Sequence, residues 1–495
     1  MLRGCHGRSS LVLFVCAIVA TIAVGCSGGD EQDPAGGGPI PAGGAGSNGN
    51  NAGSSGGGVA GNPGGGNGAG AGSGGSSGAP SGGSSGSAGN GSAGENAGGL
   101  AGSGGSSGVD ACGDGEWTCV PVPPTGPYGS HSFDVPAAQN WVNTGLYLKQ
   151  GQTATVSIDG GEWSLEDEGG TIHHTACLVG DLAARIGLHY EESEMTCISG
   201  TATVTADKDG ILFLGALASS DLGESYETRL NASGKKTVTV TSTGDTAPTL
   251  LGSEAAGYAF DTVSSGWVEV WGEHVILTLP VATASADSAA LNAATERLDA
   301  IYDLHEELRG GVPMHGQRIR FFPDPNIDGI GWMLAGNPVR MDMALVTDPS
   351  ETISRAGEDG HSNWGFAHEL GHIFSWPNGF WQYEVDTLES WCNLFSLYAL
   401  GSLELELHDS IADCDASSTR TYVAGSWDPW DGLCFLMQFQ YDHGWDVYKT
   451  FFRSIATKDS GDMNDGAWPF VHDELEAASG ADLTPTFDAW GVPHP

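Results

Sequence analysis

In "NWGFAHELGHIFSWPNG", residues 363–379, two histidines stand four apart with a glutamate directly after the first. Wound into a helix, His368 and His372 lie one turn apart and project from the same face, so both imidazoles can bind one ion. Glu369 is rotated away from them by about a quarter turn. That puts it beside the ion, where a general base can take a proton from water. Neutral imidazoles suit Zn²⁺, whose catalytic form keeps three protein ligands and leaves a fourth position open. The five-residue pattern alone arises by chance in roughly a few per cent of chains of this length, so the test is a third ligand.

No histidine follows at the spacing of the extended metzincin motif; the next one is His408. The third ligand is therefore expected to be a carboxylate on a following helix, the gluzincin arrangement. "WQYEVDTLESWCNLFSLYALG" offers Glu384 and Glu389. Trp391, Leu394, Phe395, Leu397 and Tyr398 mark a buried helix that begins near Thr387 or Leu388, which sets Glu389 in its first turn. A carboxylate buried by such a helix needs a partner as strong as a metal, which favours Glu389 over Glu384 in its aromatic-rich loop.

The elements that must position these groups fall into two folded parts. From 111 to 248, short alternating runs such as "TATVSIDGGEW" and "GKKTVTVTSTG" predict an all-β domain, a sandwich or jelly roll. From 249 to 495 the character changes to α+β, with a largely helical C-terminal part. "WVEVWGEHVILTLPV" predicts paired strands and "QRIRFF" another strand. "DSAALNAATERLDAIYDLHEEL" predicts an amphipathic helix capped by Asp287 or Ser288.

The N-terminal end indicates export. Arg3 and Arg8 precede the apolar run "LVLFVCAIVATIAV", which predicts a secretory signal in residues 1–26. Residues 27–110 are almost only Gly, Ser, Ala and Asn, with nothing to bury, and predict a disordered tether about 50 Å from end to end. With 61 Asp and Glu against 18 Lys and Arg, the chain's field opposes nucleic acid and anionic lipid. Of ten cysteines, Cys5, Cys16 and Cys26 belong to the signal. The others predict local disulfides: Cys112 with Cys119, Cys177 with Cys197, and one pair among Cys392, Cys414 and Cys434, leaving one buried free thiol.

Three resemblances extend this reading. "AVGC" before Cys26 resembles the lipobox of bacterial lipoproteins, which implies lipidation at Cys26 and attachment to the cell envelope, the outer membrane included, through that anchor only. "GLYLKQGQTATVSIDGGEWS", "LVGDLAARIG" and "YETRLNASGKKTVTV" resemble the calcium-dependent galactophilic lectin fold. That likeness implies carbohydrate binding through Ca²⁺, with Asp221 and Asn231 as the matching positions, although Ala232 replaces a second amide.

"NWGFAHELGHIFS" with "ESWCNLFSLY" resembles the family-60 zinc metallopeptidases, which include enhancins and mucin-degrading O-glycopeptidases. The likeness also takes in "WVEVWGEHVILTLP", "GWMLAGNPVRMD" and "DLTPTFDAWGVP". It implies Zn²⁺ held by His368, His372 and Glu389, with Glu369 activating water, and a transition-state hydrogen-bond donor for which Tyr383, His361 and Tyr398 are the candidates. The implied substrate is an O-glycosylated, mucin-type glycoprotein. Trp332, Asn337, Arg340, Asp342 and Trp364 are the candidates for lining a glycan-reading cleft. A monomer is expected.

Overall fold

The computed structural model describes residues 126–137, 139–164, 181–189, 195–216, 233–311, 318–327, 331–375, 387–415, 420–424, 427–458, 462–463 and 466–495, with the backbone of 172–173 and 177–178. Cys26, Cys112, Cys119, Asp221, Asn231, Tyr383 and Glu384 lie outside the described residues, as does the Cys177 side chain.

The first part is built of antiparallel strands β1 (Pro127–Pro136), β2 (Val142–Leu148), β3 (Thr153–Ser164), β4 (Ile172–His173), β5 (Cys177–Leu178), β6 (Leu182–Ile186), β7 (Thr196–Ile198), β8 (Thr201–Thr205), β9 (Gly210–Ala216) and β10 (Ser233–Thr246). Period-2 alternation drives it: Ala154 and Val156 in β3 and Val238 and Val240 in β10 point inward, while the threonines between them stay outside. β10 pairs with β3 and β1 along its body and with β2 at its end. It thereby joins the group β8–β3–β10–β1 to the group β2–β9–β6–β7, and both bury one apolar core around Leu146, Val156, Leu212 and Val240.

The hydrogen-bonding changes partner between 246 and 249. β11 (Thr249–Leu251) starts a second sheet with β12 (Trp267–Trp271), β13 (Val275–Pro280), β14 (Ile319–Pro323), β15 (Met333–Leu334) and β16 (Val339–Met341). Its spatial order is β11–β12–β13–β14–β16–β15, which leaves β15 at the edge. Helices α1 (Leu291–Leu308), α2 (Trp364–Phe374), α3 (Leu388–Ser402), α4 (Pro429–His443), α5 (Asp446–Ile455), α6 (Ala467–Ser479) and α7 (Thr484–Trp490) complete this part and share one core with the sheet.

The expected hairpin over 267–280 is β12 and β13, and α1 is present, but it begins at Leu291 without a side-chain cap. Asp287 does not cap it: its carboxylate accepts the Ser354 hydroxyl at 2.5 Å. Of the three cysteines left open, Cys414 and Cys434 form the disulfide, and Cys392 is the buried free thiol. Cys197 is also disulfide-bonded.

Among the described residues both sheets belong to one compact unit. Trp141, Ile211 and Phe213 of the β part pack with Phe322 of β14. Through this interface runs a buried polar network. Arg320 pairs with Glu269 at 2.8 Å and donates to the Trp141 carbonyl at 2.8 Å. Glu269 also accepts from Trp271 and Thr278. A buried charge is tolerable only when so paired, and here it joins β12, β14 and the β part.

Candidate metal centre

α2 carries Trp364, Phe366, Ala367, Leu370, Ile373 and Phe374 into the core, and α3 is buried from Ser390 to Leu400. Helices this apolar pack against each other as closely as their side chains permit. Gly371 sets the limit, because a Cβ there would stand 2.7 Å from the Cys392 carbonyl oxygen of α3. This approach brings the first turn of α3 onto the histidine face of α2.

Three ligand atoms converge. His368 Nε2 lies 3.0 Å from Glu389 Oε2, His372 Nε2 lies 3.1 Å from His368 Nε2, and His372 Nε2 lies 3.5 Å from Glu389 Oε2. Tetrahedral Zn²⁺ with bonds of about 2.0–2.1 Å requires ligand atoms about 3.3 Å apart, so the donor set and its spacing both fit the ion. Among the described residues, these are the His, Cys, Asp and Glu groups that gather closely enough to hold a metal. His368 is buried, whereas His372 and Glu389 are half-buried, which opens the point to solvent on their side.

The electrostatics describe a site built for a cation. Burial opposes the charge on His368, but the hydrogen bond it donates to Glu389 and the nearby carboxylates outweigh it and hold the ring above its ordinary value. Burial likewise opposes ionisation of Glu389, yet the two imidazoles, His372 and His368, hold it well below the usual carboxylate range. Glu369, buried beside them, is pushed up by desolvation, against the pull of the two imidazoles and of the Ala335 N–H that its carboxylate accepts. A carboxylate so raised is suited to taking and returning a proton.

The histidine rings are held from behind. His368 Nδ1 lies 2.8 Å from Asn393 Oδ1, which also accepts Trp364 Nε1 at 3.3 Å. His372 Nδ1 lies 2.8 Å from Cys392 Sγ. Sequence reasoning gave neither Asn393 nor Cys392 this role. The signal was present, because positions three and four residues beyond Glu389 share its helical face.

The cleft candidates divide. Trp332 is 41% exposed, three residues before Ala335 on the edge hairpin. Asp342 caps the following turn by accepting the Ala344 N–H at 2.7 Å. Asn337 and Arg340 do not face a cleft: they are 1% and 2% exposed. The Asn337 amide spans the Arg318 carbonyl and the Arg320 N–H, and its carbonyl accepts from Asn140. Arg340 donates to the Leu188 carbonyl and faces Asp324 at 3.7 Å. Both serve the junction with the β part. Trp364 is also buried, against Trp430 and His408, and acts through Asn393. Of the candidate donors, Tyr398 bonds Glu307 and Lys449 more than two turns along α3 from Glu389, and His361 stacks on Phe366.

Two histidines one turn apart, a carboxylate from the next helix and a buried glutamate beside them make a candidate metal centre of the HExxH pattern. Residues 260–491, which hold all four groups, match the family described as Peptidase M60, enhancin and enhancin-like, so this part of the chain is enhancin-like in sequence. The chain is 28% identical over 248 residues to a TRPM8 channel-associated factor homolog of Xenopus laevis, covering 46% of this chain and 26% of that protein. It is 26% identical over 433 residues to human TRPM8 channel-associated factor 2, covering 80% and 43%. The chain thus spans less than half the length of these relatives. A functionally unknown conserved protein from Bacillus anthracis has a similar fold, with a TM-score of 0.51 at 15% identity over 74% of this chain and 76% of that one.

Proposed function

We propose that the protein is an exported zinc-dependent endopeptidase that hydrolyses peptide bonds in O-glycosylated, mucin-like glycoproteins. The observation that carries the hydrolytic reading is the convergence of His368, His372 and Glu389 at tetrahedral spacing, with Glu369 buried beside them. Bound there, Zn²⁺ supplies Lewis acidity that polarises a carbonyl and acidifies water. Glu369 takes a proton from the attacking water and returns it to the nitrogen of the leaving amine as the C–N bond breaks. The edge position of β15 offers an extended peptide a strand to lie beside, next to the Ala335 N–H that holds Glu369.

The glycoprotein preference rests on the resemblance of the motif and on Trp332, an exposed aromatic face on the same hairpin, suited to stacking on a sugar. Export and lipid anchoring at Cys26 are part of the same proposal.

Incubating the mature protein with a mucin-type glycoprotein, with and without chelator and beside Glu369→Ala, tests it. Cleavage that needs both metal and Glu369 is the expected result. Equal cleavage of unglycosylated casein removes the glycan requirement, and glycan binding without any cleavage makes the protein an adhesin.

A further inference from the structure

Cys392 has no place in the hydrolytic chemistry, yet it is fully buried beside the metal point, and its sulfur has three polar neighbours: the Leu388 carbonyl, His372 Nδ1 and, at 3.9 Å, the Ser375 hydroxyl. Its Sγ donates to the Leu388 carbonyl, one turn back along α3, at 3.1 Å. A thiol has a single hydrogen; with that hydrogen on the Leu388 carbonyl, the contact of 2.8 Å with His372 runs from the imidazole Nδ1–H to a sulfur lone pair. That direction leaves the Nε2 lone pair of His372 facing Glu389 and His368.

We propose that Cys392 is a positioning residue, whose sulfur accepts the Nδ1–H of His372 and so fixes the tautomer and ring plane that present Nε2 to the metal. The inference rests on the metal-site reading above and deepens it. Asn393 does the same for His368, and its oxygen is itself steadied by Trp364. α3 therefore supplies one ligand and the orienting partners of the other two from positions i, i+3 and i+4, a single stripe of the helix. Such outer partners hold a histidine ring in its binding orientation, and their loss lowers metal affinity about 10–100-fold. The competing account is that Cys392 is only a small apolar filler, a common fate for a buried thiol.

Valine and serine separate the two accounts: Cys392→Val fills the space without an acceptor, and Cys392→Ser restores an acceptor. Zn²⁺ affinity is measured on the mature protein by competition with a chromophoric chelator. The visible spectrum of the Co²⁺ form and thermal melting of the metal-free protein are recorded alongside. The expected result is that Cys392→Val weakens Zn²⁺ binding about 10–100-fold and alters the Co²⁺ spectrum. Cys392→Ser then recovers most of the affinity, with both variants folded. Wild-type affinity in folded Cys392→Val overturns the proposal, as does folded Cys392→Ser binding no better than the valine variant. If the wild type binds Zn²⁺ no better than His368→Ala/His372→Ala, the metal site itself is wrong, and that outcome is distinct from either.

Discussion

Gly371 and Cys392 meet backbone to backbone: a Cβ at 371 would lie 2.7 Å from the Cys392 carbonyl oxygen and 3.1 Å from its Cα. The glycine of "HELGH" is thus a spacing device between two helices. Gly371→Ala must push α3 away, because backbone cannot yield as a flexible side chain does. The overpacking costs about 1–3 kcal/mol, and thermal melting should register it. The same displacement moves Glu389, Cys392 and Asn393 together, so Zn²⁺ content after dialysis should fall as well.

Glu389→Gln removes the anionic ligand but keeps its shape. Metal analysis of the purified protein should show Zn²⁺ retention well below wild type, with peptidase activity lost in proportion. Glu384→Ala should retain its metal. The reverse pattern would move the third ligand to Glu384.

His305 on α1 sits fully buried against Phe374 of α2 and Phe395 of α3, and burial pushes its imidazole down to about 3. The folded protein therefore keeps this ring neutral while the unfolded chain protonates near its ordinary value of 6.5. The resulting stability is complete above pH 6.5 and is lost as pH falls toward 3, by up to about 1.4 kcal/mol per pH unit. Denaturant titrations from pH 7 to 4 should show a shallower decline for His305→Leu than for wild type.

Glu269→Ala leaves Arg320 buried without its carboxylate, a change that costs about 3–5 kcal/mol. Because Arg320 also donates to the Trp141 carbonyl, the loss should be felt in both sheets. Urea unfolding followed by fluorescence should shift to a lower midpoint. Replacing the pair together, with Glu269→Leu and Arg320→Met, should recover much of it.

Trp332→Ala should raise KM for a glycosylated peptide roughly twofold to tenfold and leave an unglycosylated peptide unaffected. Equal effects on both substrates would make Trp332 a peptide contact.

The α2 helix, the start of α3 and the β12–β13 hairpin were legible because each is written locally, in spacing and hydrophobic period. Glu389 was legible because a carboxylate in the first turn of a buried helix demands a partner. Arg340 and Asn337 misled because their surroundings come from the β part, 152 and 197 residues earlier at Leu188 and Asn140, and no local pattern reports that an arginine is buried at a junction. The Asp287 cap failed for a similar reason, since Ser354 competes for the carboxylate from a distant turn. One unpaired thiol among Cys392, Cys414 and Cys434 could be read from the sequence; that it is Cys392, and that it faces His372, follows only from the fold.

Because α2 and α3 between them provide every ligand and every orienting partner of the metal point, no half of the site binds well alone. The chain can capture its ion firmly only after these two helices have docked. Zinc uptake during refolding is therefore a stopwatch on that docking step, running after secondary structure forms and stopping when the crossing is made.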